Sequence, residues 1–447
     1  MLHAATIPII ISLMKLQFII TAAMLLCLGV PAQARHIDFD THFSDTTLRL
    51  NYIFSGNAAC QHIAVSNYCK SAHWWGKRHR LAQVPVEGNG QLTMRLHRTG
   101  EVIYRNSFST LFQEWLTSPE AQVASRAFEN VFLVPMPVDT VDITVDLRDS
   151  RHRVAASLTH QVVPSDILTR NTDAAGTAPH VVVQRAADSL RCIHIAYVAE
   201  GYTQAEMATF LADVDKANEA LFAHEPFKSN RNKFSIVAVT APSAQSGTSE
   251  PGNGVWRNTL LQSHFDTFYS DRYLTTLALN RLHDVLAGIP YEHIIVLVNS
   301  SKYGGGGILN SYDLSSTHHK AFAQVIVHEF GHSFAGLADE YAYAGEEDST
   351  YPRDVEPWEP NITTLAHFKG KWEQLVASHT PVPTPVDSAR LDRPGLYEGA
   401  GYSLKGVYRA YPDCRMRSNA VPYFCPVCRK AIERVIDFYT APETDGQ

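Results

Sequence analysis

At 447 residues the chain is long enough for two or three domains, each with its own core, and a net charge of -7 with lysine and arginine scattered offers no basic stripe for nucleic acid. Only the N-terminus is apolar enough to be drawn into a membrane.

Residues 1–34 read as a targeting segment. Lys15 precedes an apolar run from Leu16 to Val30, and Ala32-Gln33-Ala34 forms an A-x-A cleavage site before Arg35. A start at Met14 would give a signal peptide of ordinary length. Cys27 does not read as a lipoprotein anchor, because Leu26 is too bulky for the residue before such a cysteine.

From 35 to 170 the pattern predicts an all-β sandwich. Thr47–Phe54, Gln91–Leu96 and Val141–Leu147 alternate apolar with polar residues, as strands with one buried face do. Thr110 to Phe128, with Trp115, reads as a short helical insertion. Trp74 and Trp75 could bind a carbohydrate or protein ligand, although a tryptophan pair more often packs. The polar, Gly/Ala-rich stretch 171–182 is the expected linker.

Beyond the linker, 183–447 reads as an α/β (α+β) domain. Expected strands are Cys192–Val198, Lys233–Val239 and His293–Val298, the last a continuous apolar run of the buried kind. Helices are expected over Gln204–Phe222, Asp271–Ala287 and Pro426–Phe438. Gly304 to Gly307 lacks the trailing Lys-Ser/Thr of a phosphate loop and reads as a turn into a strand, Ile308 to Tyr312.

The chemistry lies in His328-Glu329-Phe330-Gly331-His332. His-Glu-x-x-His on a helix sets two imidazoles one turn apart, ~6 Å along one face, with the glutamate beside them. The pattern is that of a zinc hydrolase: two histidines hold the metal and Glu329 is the base. A third protein ligand is needed. On an unbroken helix Asp339 would stand ~16 Å beyond His328, so the helix must end and turn back, and Gly336 stands where a left-handed residue would end it. Asp339 is the preferred ligand, with Glu340 the alternative. Glu346, Glu347 and Asp348 could bind calcium, but read first as solvated charge.

The run HEFGHSFAGLADEY, from His328 to Tyr341, resembles the active-site signature of peptidase family M64, whose named member is an immunoglobulin A endopeptidase. Glu200-Gly201-Tyr202-Thr203, Phe222–Phe227, Ser263-His264-Phe265 and Val298–Gly307 stand in the order that family shows. The resemblance covers roughly residues 190 to 440 well and 35 to 165 more loosely. It implies a secreted zinc endopeptidase with a metzincin-like (zincin) catalytic domain behind a β-rich N-terminal domain. It also implies that Met416, in Arg415-Met416-Arg417-Ser418-Asn419, forms the methionine turn beneath the metal. By analogy with metzincins, Gly306, Gly307, Ile308 and Leu309 would lie on an edge strand that pairs with extended substrate. The general metzincin spacing HExxHxxGxxH would put glycine at Ala335 and a ligand at Ala338; here Gly336 and Asp339 come one residue later. Tyr341 or Tyr408 would steady the oxyanion.

Six cysteines remain without Cys27: Cys60, Cys69, Cys192, Cys414, Cys425 and Cys428. In an exported protein they predict disulfides, with Cys60 and Cys69 a natural local pair. Cys414, Cys425 and Cys428 could instead hold a structural zinc with a fourth ligand, but an oxidising compartment favours disulfides. The expected function is zinc-dependent hydrolysis of peptide bonds in a protein or peptide substrate, in the periplasm or outside the cell, with no nucleic-acid partner and no membrane once the signal is cleaved. Two other readings compete: a carbohydrate- or protein-binding protein with a relic peptidase domain, and a zinc amidase acting on cell-wall peptide.

Overall fold

The computed structural model describes residues 36–173, 176–343 and 351–442. The targeting segment 1–34 and the calcium candidates Glu346, Glu347 and Asp348 lie outside the described residues.

Side-chain alternation builds the N-terminal region. After a short helix α1 (Phe39–His42), two four-stranded sheets form. One runs β5 (Arg126–Pro137), β1 (Phe43–Gly56), β2 (Gln61–Ala72), β8 (Arg170–Asn171); the other runs β4 (Val102–Phe108), β3 (Gly90–Leu96), β6 (Val141–Arg148), β7 (Val154–Val162). In β6 every second residue, Val141, Ile143, Val145 and Leu147, is buried, as the period of two requires. The inner faces of the two sheets meet through Phe54, Phe108 and Phe132, with the last two rings 4.3 Å apart, so the region is strand-rich in the manner of the expected sandwich. The expected helical insertion shrinks to α2 (Leu111–Trp115), capped by Thr110, and a 3-10 turn at Pro119–Gln122. Arg126 already pairs with Gly56, because the β1 ladder extends that far and outcompetes local helix formation.

The C-terminal region is mixed α and β around a six-stranded sheet. Its order is β13 (Gly305–Ile308), β14 (Tyr312–Ser316), β12 (His293–Val298), β10 (Ile193–Glu200), β11 (Phe234–Val239), β9 (His180–Gln184). The inner four strands run parallel, and β13 and β9 are antiparallel edges. Every residue of β10 and β12 is buried, which explains the continuous apolar run of β12 from Ile294 to Val298. On the sheet pack α3 (Met207–Phe222), entered through a Thr203/Glu206 capping box, α5 (Phe322–Ala335) and α6 (Pro426–Thr440). Phe227, Phe234, Phe330, Phe334 and Phe424 form one aromatic knot behind α5, each ring worth about 2–3 kcal/mol of burial. A small sheet, β15 (Ile362–Thr363), β17 (Ser403–Arg409), β16 (Tyr397–Ala400), flanks the loop after α5, where Gly401 N–H bonds the Asp339 carbonyl.

Two expected elements differ. The helix over Asp271–Ala287 is present only as α4 (Leu279–Val285), because Tyr273 bridges Gly305 and Thr275 bridges His264, pairings that hold this stretch extended. The strand Ile308 to Tyr312 is instead the turn of a hairpin: β13 ends at Ile308, Ser311 N–H bonds the Ile308 carbonyl, and β14 begins at Tyr312. The two regions are stitched together near that hairpin. Ser109 N–H donates to the Leu309 carbonyl (3.1 Å), Asn310 Nδ2 to the Ser107 carbonyl (2.8 Å) and Trp358 Nε1 to Asn89 (2.6 Å).

Candidate metal centre and active site

Helix α5 carries His328 and His332 one turn apart, and their Nε2 atoms lie 3.1 Å from each other. The helix ends at Gly336, whose φ of +60° is left-handed; a Cβ there would also meet Trp358 and Val86 at 2.6 and 2.8 Å, so both conformation and space call for glycine. The reversal returns the chain to the two histidines. Asp339 Oδ1 comes within 3.0 Å of His328 Nε2 and 3.4 Å of His332 Nε2. Glu340, the alternative ligand, turns the other way and is wholly buried against Asn361 and Cys428, not in the ion pair a freed glutamate could have made.

The hydrogen bonds around the cluster orient all three donors. His328 Nδ1 faces the Arg415 carbonyl at 3.1 Å and His332 Nδ1 the Leu337 carbonyl at 2.5 Å. Carbonyls only accept, so each Nδ1 carries the proton and each Nε2 presents a lone pair. Asp339 Oδ2 accepts from Tyr402 (2.7 Å), which itself meets Tyr341 (2.9 Å), whereas Oδ1 is buried without a hydrogen bond. With both imidazoles neutral, three lone pairs thus converge on one point. Ligands at 2.0–2.1 Å from a tetrahedral zinc stand ~3.3 Å apart, and the distances here match that spacing, so the set fits a cation. Electrostatics agree: burial alone would raise the Asp339 carboxyl, but His332 and His328 hold it far below the carboxylate range. Burial would lower the His332 imidazole, yet Asp339 and Glu329 carry it up to about 9, so the pocket favours a positive charge at this point, which a proton or a bound cation can supply.

Glu329 sits beside the cluster under the edge strand. Burial raises its carboxyl, partly opposed by the two histidines. The glycine run is explained by this contact: a Cβ at Gly305 would lie 2.7 Å from Glu329 Oε1, and one at Gly307 would collide with the Glu329 carbonyl. Ser316 N–H bonds the Gly304 carbonyl, so by antiparallel alternation Gly304, Gly306 and Ile308 bond inward to β14, while Gly305 and Gly307 face the sheet edge. Gly305 is occupied there by Tyr273, and Leu309 lies past the strand, bonded to Ser109.

Met416 packs beneath the motif, its sulfur 2.8 Å from where a Gly331 Cβ would be, and its carbonyl accepts from Glu340 N–H. Tyr341 stacks along His328, but Tyr408 is not brought to the cluster: it pairs with Thr363 and Glu398 in the small sheet, among Glu398, Arg353 and Lys405. Sequence reading missed Tyr402, Tyr303 and Glu114. Burial, then the charges of Glu329 and Asp339, raise the Tyr303 phenol; the residue lay inside the Val298–Gly307 run, so a signal existed. Glu114 of α2 accepts from Tyr273, and burial pushes its carboxyl up to about 7. No local pattern announces that a β-region side chain reaches this far.

The disulfide expectation is corrected. Among the described residues all six cysteines are free thiols. Cys60 stands immediately before β2 and Cys69 lies within it, so nine residues of nearly extended chain, about 30 Å, separate them, where a bridge needs Cα atoms within about 7 Å. Cys192 faces His194 Nε2 at 3.5 Å. Cys414, Cys425 and Cys428 cluster with Glu340. Trp74 is buried and donates to the Lys77 carbonyl, while Trp75 packs on His194.

The strand-rich region and the mixed sheet frame a helix-borne cluster whose donor set fits a metal ion. The chain belongs to peptidase family M64: a family profile described as IgA peptidase M64 matches residues 181–394 and 387–436, and one for the peptidase M64 N-terminus matches 38–159. No curated protein matches the chain. M64 peptidases are generally metallopeptidases.

Proposed function

We propose that this chain is an exported, zinc-dependent endopeptidase with a zincin-like catalytic region. The observation that carries the reading is the convergence of His328 Nε2, His332 Nε2 and Asp339 Oδ1 within 3.0–3.4 Å of one another, beside a half-buried glutamate. Zinc held there would supply Lewis acidity, making water more acidic and polarising a carbonyl. The chain's residues do the rest. Glu329 takes the proton of the attacking water, and as the C–N bond breaks it returns that proton to the leaving amine. Its raised affinity for a proton suits both halves of the cycle. Gly307 offers outward backbone to an extended peptide, which aligns the scissile carbonyl. Tyr303 and Tyr341 are the hydroxyls able to steady the oxyanion. Export rests on Lys15, the apolar run and Ala32-Gln33-Ala34. Immunoglobulin cleavage is not carried over, because surface loops and not the metal helix choose the substrate.

The test is incubation of the mature protein with denatured protein mixtures and, separately, with peptidoglycan, followed by mass spectrometry. New internal termini in proteins, abolished by chelation and restored by zinc, are expected. Cleavage that survives complete metal removal, or products from peptidoglycan alone, would overturn the proposal.

A further inference from the structure

Behind the candidate active site, four potential ligands meet from three parts of the chain. Glu340 follows Asp339 on the returning loop, Cys414 lies in the loop beneath α5, and Cys425 and Cys428 form a C-x-x-C across the start of α6. One donor atom from each lies within 4.8 Å of all the others. The Cys414 and Cys428 sulfurs are 3.7 Å apart, and Cys428 Sγ is 3.1 Å from Glu340 Oε1. Sulfurs bound at 2.3 Å to a tetrahedral zinc stand ~3.8 Å apart, whereas a disulfide requires ~2.05 Å. The site is dry: Glu340, Cys414 and Cys428 are 0% exposed and Cys425 1%.

A network of neutral thiols accounts for this cluster poorly. Asn361 Nδ2 donates to Glu340 Oε1, but Glu340 Oε2 is buried with no partner, which a closed apolar setting disfavours. A single disulfide would use two of the three cysteines and leave the carboxylate still uncompensated. Two local features favour negative charge on the sulfurs. Cys425 N–H donates to Cys414 Sγ (3.2 Å), and Cys425 and Cys428 stand at the N-terminal end of the fifteen-residue α6, where helix amides favour negative charge.

We propose that Cys414, Cys425, Cys428 and Glu340 bind a structural zinc ion, separate from the candidate catalytic one, that clamps the Asp339 loop to α6. A site of three sulfurs and one oxygen, closed to solvent, suits a d¹⁰ divalent ion without an open coordination position. Because Asp339 and Glu340 are adjacent, the ion would fix the backbone of the third active-site ligand from behind. Its binding does not depend on catalysis.

The test is metal analysis and spectroscopy of the full mature chain, purified without reductant. About two zinc equivalents are expected in the wild type and about one in Cys425→Ser/Cys428→Ser. His328→Ala/His332→Ala should keep the thiolate-bound ion. Cobalt exchanged into the wild type should show sulfur-to-metal charge-transfer absorption, a readout that needs no variant to fold. A wild type without that absorption, or a non-reducing peptide map joining Cys414 to Cys428 or Cys425, would overturn the proposal while leaving the peptidase reading intact.

Discussion

Asp339 and Glu340 are consecutive residues that serve opposite surroundings. The first faces two histidines in a cluster whose side chains keep 11–17% of their exposure and so remain in contact with solvent. The second faces three cysteines in a cluster sealed from solvent. The difference teaches that access, more than donor chemistry, separates a site built to react from one built to hold: an open coordination position is useful only where substrate can reach it.

The sharpest way to break this comparison is to remove each carboxylate in turn. Asp339→Ala should lose the ion of the histidine cluster and all activity, whereas Glu340→Ala should keep the histidine-bound ion; elemental analysis with a peptidase assay checks both. If Glu340→Ala alone were to lose the histidine-bound ion, the assignment of the two residues would be reversed. Glu329→Gln comes next. It should reduce hydrolysis by on the order of 10²–10⁴ while metal content stays at the wild-type level, since the proposed mechanism makes the glutamate a base and not a ligand. Near-normal turnover in that variant would mean the open cluster does not work as described.

Tyr402→Phe sharpens the contrast more gently. It removes the hydrogen bond that orients Asp339 through Oδ2, and zinc affinity measured by competition with a chelator should fall by about 10–100-fold. An unchanged affinity would show that the Gly336 turn alone positions the carboxylate.

A third histidine packs against the same helix with no carboxylate to pair with. His293 packs its ring 4.8 Å from that of Phe334, its Nε2 has no partner, and burial holds its pKa at about 3 instead of 6.5. Between those values the unfolded chain binds a proton that the native state refuses. This contribution is therefore complete above about pH 6.5 and is lost as the pH falls toward 3, at about 1.4 kcal/mol per pH unit. Urea midpoints measured over this range should fall less steeply in His293→Phe than in the wild type; equal slopes would show that His293 does not titrate as its burial requires.

Much of the candidate site could be read locally. The i, i+4 spacing of His328 and His332 depends only on helical geometry, and Gly336 ends the helix through its own backbone freedom. The alternation of β6 and the apolar run of β12 likewise declared their burial. What failed was wherever a distant segment outvoted the local pattern. Asp271–Ala278 looks helical until Tyr273 pairs with Gly305, and Ile308 to Tyr312 looks like a strand until the hairpin turns within it. Cys60 and Cys69 look like a loop's two ends until β2 draws them straight.

The choice between Asp339 and Glu340 marks the boundary most clearly. The sequence by itself determined that the helix must end at Gly336 and that one of the two carboxylates returns to the histidines, because those steps rest on spacing and on one residue's φ. Only the tertiary structure decided which. Tyr402, 63 residues away, holds Asp339, while Asn361 and Cys428, 21 and 88 residues away, hold Glu340. Adjacent side chains on a turning backbone point to different sides, and which side carries the histidines depends on partners that no local pattern can name.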